Sequence, residues 1–113
     1  MTAPPRDRDH EGVFLGRAAA GHTPFAVQAS ERLERGEMLF GDGWRERGIA
    51  ELVRELLEEA ADIGAWGALA DQAVDDAEPA SATIVAALTI AAWHGARAHE
   101  ALTLAASVIE APT

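Results

Sequence analysis

The sequence predicts an all-α fold, a small antiparallel bundle of three to four helices completed by dimerisation. Three observations carry this. Apolar residues recur at helical spacing in two long segments, and no alternating strand pattern occurs anywhere. The 113 residues leave room for one core and no second domain. Of the 49% hydrophobic residues much is alanine, which adds little core area, so a lone copy is thinly cored.

The same composition excludes several classes. Nineteen Asp and Glu against nine Lys and Arg give a net charge of −10, which repels phosphate backbones and argues against nucleic-acid binding. With no cysteine there are no disulfide staples, thiolate zinc sites or cysteine nucleophiles. The hydrophobic fraction is too high for a disordered acidic chain.

Residues 1–12 read as a flexible tail, with paired prolines and alternating charges and no signal-peptide core. Residues 13–113 are expected to form a single helical domain. The stretch from Gly12 to Gly21 carries Val13, Phe14 and Leu15 among three glycines and reads as short or irregular. A helix is expected from Pro24 to about Phe40, capped by the Thr23 hydroxyl and ended by Gly41-Asp42-Gly43. Its inner face is expected to hold Phe25, Ala26, Ala29 and Leu33. The longest pattern runs from Trp44 or Ile49 to about Val74, with Gly64 and Gly67 near one face as places for close packing. The segment from Asp75 to Pro79 stops it, and Ser81 caps a last helix from about Ala82 to Ile109. Residues from Ala82 to Trp93 are expected to be buried. They fall well short of the roughly 20 apolar residues of a membrane span, so the expectation is a cytoplasmic protein with no membrane partner.

Chemistry concentrates in the long helix. Glu51, Glu55, Glu58 and Asp62 share a sector of about 40–60°, with Glu59 just beside it. Like charges at this spacing cost a few tenths of a kcal/mol each, roughly. One reading is a solvated face. The other is a hard divalent cation, Mg²⁺ or Mn²⁺, drawn by carboxylate oxygens.

The residues Glu58-Glu59-Ala60-Ala61-Asp62-Ile63, followed by Gly64, Ala65, Trp66 and Leu69-Ala70-Asp71, resemble the second metal-binding helix of the MazG-like all-α NTP pyrophosphohydrolases. That family's earlier Glu-x-x-Glu is matched by Glu31-Arg32-Leu33-Glu34, with residues 35 to 58 between the pairs. Glu31 follows Ser30, where the family's first helix carries a doubled glutamate. The resemblance covers about residues 28 to 75. It implies Mg-dependent cleavage of a nucleoside triphosphate to monophosphate and pyrophosphate. It further implies metal held by Glu31, Glu34, Glu55, Glu59 and Asp62, and Glu58 as the base for the attacking water.

Outside the stripe, His94 and His99 stand about 140° apart on one helix and so form no joint zinc site. His94 and Arg97 share a face that suits a phosphate, but the favoured reading pairs Arg97 with Glu100 or with a glutamate of the long helix. Trp44 and Arg45 suit a base and a phosphate, or simply anchor the turn after Gly43. Trp66 and Trp93 lie in apolar runs and read as core. The competing function is a non-catalytic acidic helical module, an adaptor or inhibitor, that binds a basic protein surface through the stripe. A homodimer is expected in either case.

Overall fold

The structure is a computed structural model that describes residues 8–41, 43 and 46–111. Among these the fold is all-α, with four helices and no strand: α1 (Arg8–Ala19), α2 (Thr23–Phe40), α3 (Ile49–Ala73) and α4 (Ser81–Glu110). The chain divides into two compact units, one up to Gly48 and one from Ile49.

In the first unit α1 packs on α2. The helix α1 starts earlier than expected and takes in residues assigned above to the tail and to an irregular stretch. Asp9 and Glu11 in its first turn and Arg17 in its last complement the helix dipole, which offsets the helix-weakening glycines. It ends where Ala20 and Gly21 turn left-handed, at φ 49° and 84°. The His22 N–H then donates to the Ala19 carbonyl at 2.9 Å.

Thr23 lies inside α2, not at its cap. His22 takes the cap position and makes no side-chain capping bond, while Pro24 occupies the first turn as expected. Ala26, Ala29 and Leu33 are half-buried and Gly36 is buried, so the covered face is the expected one without Phe25, which is exposed. At the far end Gly41 has φ 67° and ψ −161°, and its N–H donates to the Glu37 carbonyl at 2.8 Å.

In the second unit α3 and α4 pack against each other in antiparallel fashion: Ala60 and Ile63 meet Gly95, and Gly67 meets Ala92. Covered positions in α4 follow one another three or four apart through Val85, Leu88, Ala92, Gly95, Ala98, Leu102, Ala106 and Ile109. That is the seam of a coiled coil. Its counterpart in α3 runs through Val53, Ala60, Gly67 and Ala70. Small residues stand at the middle of both seams, which lets the backbones come close. In the turn between them the Ala77 N–H donates to Asp75 Oδ1 at 2.9 Å. Ser81 opens α4, but Ala80 holds the cap position and no side chain caps it.

Only Val53 and Ala60 are buried hydrophobic residues among the described ones. The expectation that residues 82–93 are buried on all sides is corrected: Ile84, Ile90 and Trp93 are exposed. The reason is geometric, since α3 covers only one side of α4. Trp66 and Trp93, read above as core, are 70% and 56% exposed. Among the described residues no helix is long and apolar enough to cross a membrane.

Candidate functional site

On α3 the buried residues Val53 and Ala60 mark the side turned to α4. At 100° per residue, Glu51, Glu55, Glu58 and Asp62 fall on the opposite side, and all four are exposed. Glu59 stands beside them, also exposed. The stripe exists as the sequence places it, because the apolar seam that packs on α4 leaves this sector as the outer face.

The outer face does not end at Asp62. Trp66 lies one turn further on, four residues after Asp62 and seven after Glu59, and Leu69 continues the same sector. The sequence reading missed this because Trp66 sits in an apolar run. The signal was its register with Asp62, which puts the ring on the acidic side of the helix and not on the Ala60 side.

Glu31 and Glu34 belong to α2 in the first unit, and Glu55, Glu58, Glu59 and Asp62 to α3 in the second. Glu31 and Glu34 are exposed, on the side of α2 turned away from half-buried Ala29 and Leu33. Among the described residues no group of three or more His, Asp or Glu side chains is gathered in a metal-holding arrangement. Trp44 and Arg45 lie outside the described residues.

On α4 the residues singled out are brought together. The His94 ring stands edge-on to Trp93, with centroids 4.9 Å apart and planes at 81°. Arg97 lies over the same indole, its guanidinium carbon 5.6 Å from the ring centroid. Its Nη1 is 3.2 Å from Glu100 Oε2. Of the carboxylates expected to pair with Arg97, Glu100 or a glutamate of the long helix, Glu100 is the one in place.

No protein-family model matches the chain, and no curated protein or solved structure matches it either. What the site can do therefore rests on its own chemistry. An exposed row of carboxylates offers hard oxygen donors. An exposed indole beside it offers a stacking plane.

Proposed function

We propose that the chain is a nucleoside triphosphate pyrophosphohydrolase of the MazG-like type, dependent on Mg²⁺ or Mn²⁺ and working as a homodimer. One observation carries the reading: the outer face of α3 runs from four exposed carboxylates directly into exposed Trp66. Carboxylates in line with an indole match the two halves of a nucleotide, its metal-bound phosphates and its base.

The donor set fits magnesium. That ion is commonly held by one or two carboxylates while it keeps waters and gathers substrate phosphates. Glu59 and Asp62, one turn apart and exposed, offer such a pair. When bound, the ion supplies charge stabilisation at the triphosphate and a more acidic water. Glu55 adds an oxygen one turn before Glu59. Glu58 takes the proton of the attacking water. Trp66 stacks on the base, a contact worth roughly 1–3 kcal/mol. The resemblance also implies Glu31 and Glu34 as ligands; they stand on α2, in the first unit. Arg97 is left out of the site because Glu100 engages it.

A second reading has its own support. Since no three ligating side chains are gathered among the described residues, the stripe also suits docking to a basic protein surface.

Pyrophosphate release from a panel of nucleoside and deoxynucleoside triphosphates, with and without millimolar Mg²⁺, separates the two. The enzyme reading expects Mg-dependent release that Glu59→Gln and Asp62→Asn each abolish. No release from any triphosphate, together with an unchanged melting temperature in Mg²⁺ or Mn²⁺, leaves the docking module.

A further inference from the structure

The helix α4 carries two apolar seams, and α3 uses only one. On the side turned away from α3 stand Ile90, Trp93, Leu104 and Val108, which are 59%, 56%, 67% and 69% exposed. Ile90, Trp93, Arg97, Glu100 and Leu104 follow one another at spacings of three and four, the register of a coiled-coil seam. At its midpoint the seam is charged: Arg97 and Glu100 lie side by side at 3.2 Å.

This order is self-complementary. When two such helices are laid antiparallel about a two-fold axis between Arg97 and Glu100, Arg97 of one meets Glu100 of the other, and the reverse pair forms by symmetry. The next layer outward sets Trp93 against Leu104, twice. One register therefore joins two opposite-charge contacts at the centre to two aromatic–aliphatic contacts around them. A parallel pairing instead stacks Arg97 on Arg97 and Glu100 on Glu100, which like-charge repulsion disfavours. The need for a cover is plain from the core: among the described residues the unit buries only the hydrophobic residues Val53 and Ala60, while Ile90, Trp93, Leu104 and Val108 stay more than half exposed to water.

From this charge pattern we infer that the outer face of α4 is the docking surface for α4 of a second copy of this chain, antiparallel, with Arg97 against Glu100 across the interface. The inference names the face and the register of the homodimer and does not depend on the catalytic reading.

The test uses the full chain and reads mass in solution by light scattering or sedimentation, with helix content by circular dichroism. The wild type is expected to be a dimer. Arg97→Glu and Glu100→Arg each set like charges against like across the axis, so each is expected to be monomeric and still helical. Mixing the two variants restores both opposite-charge contacts in a heterodimer, and the mixture is expected to dimerise. Restoring the pair within one helix cannot produce that result. Should either variant lose its helix content, Leu104→Glu takes its place and is expected to be monomeric and helical. A monomeric wild type overturns the inference. So do single variants that stay dimeric, or a mixture that stays monomeric.

Discussion

Gly95 and Ile63 approach so closely that a β-carbon placed on Gly95 would lie 3.0 Å from Ile63 Cγ2 and 3.1 Å from Ile63 Cβ. The Ala60 carbonyl oxygen would be 3.3 Å away. One of these neighbours is backbone and another is the branch point of a stiff side chain, so neither yields easily. Gly95→Ala is expected to lower stability even though alanine is the better helix former. Overpacking costs about 1–3 kcal/mol, against about 1 kcal/mol gained in helix propensity. Urea unfolding of the full chain gives the sign.

Gly64 and Gly67 have the opposite expectation. A β-carbon at Gly67 meets Ala92 Cβ at 3.7 Å, an ordinary contact, and one at Gly64 meets nothing within 4 Å. Alanine at either position is expected to raise stability by about 0.5–1 kcal/mol through helix propensity alone. A rise at positions 64 and 67 with a fall at 95, in the same urea series, is the pattern that the α3–α4 packing requires.

Gly41→Ala is expected to destabilise the end of α2. With φ 67° and ψ −161° this residue occupies a region open almost only to glycine, and a side chain there costs about 1–3 kcal/mol. The loss is read as a lower melting temperature in the full chain. A companion Gly43→Ala variant, where a β-carbon meets nothing within 4 Å, is the control for the added methyl.

Val53→Ala removes two methyl groups from one of the two buried hydrophobic positions among the described residues. At about 0.8 kcal/mol per methylene, with a small cavity term, the loss is about 2 kcal/mol. Leu69→Ala on the exposed face is expected to change stability by less than about 0.5 kcal/mol in the monomer.

These positions show what was legible in the sequence. The helices α2, α3 and α4 follow from period and punctuation: Pro24 opens one, Gly41 closes it, and Ser81 sits at the start of another. The acidic sector of α3 follows from spacing alone, since 100° per residue fixes which carboxylates are neighbours on any helix. Less legible was whatever depends on a second helix. Gly95 stands between His94 and Ala96 with no local signal of its role, and the approach of Ile63 and of the Ala60 carbonyl is what distinguishes it from Gly64. Trp66 and Trp93 are apolar by composition, and their exposure depends on which side of each helix has a partner. The caps failed for a related reason: Thr23 and Ser81 have the right chemistry, but each begins its helix one position late, with His22 and Ala80 ahead of it.

Asp62→Lys tests whether the acidic stripe serves function at a cost in stability. In the wild type Asp62 stands one turn beyond Glu58 and beside Glu59 on an exposed face, and this spacing is mildly destabilising. Lysine at 62 instead forms the favourable Glu-to-Lys i,i+4 order with Glu58, so in metal-free buffer the variant is expected to gain about 0.3–0.5 kcal/mol. On the proposed metal reading, wild-type protein at a Mg²⁺ concentration ten times the dissociation constant is expected to gain about 1.4 kcal/mol from binding to the native state. The variant is expected to lose that gain and, with it, pyrophosphate release. Melting curves with and without Mg²⁺ read both effects on the same samples. A variant stabilised in both buffers, beside a wild type indifferent to Mg²⁺, makes the stripe a solvated or protein-docking face and removes the metal from the site.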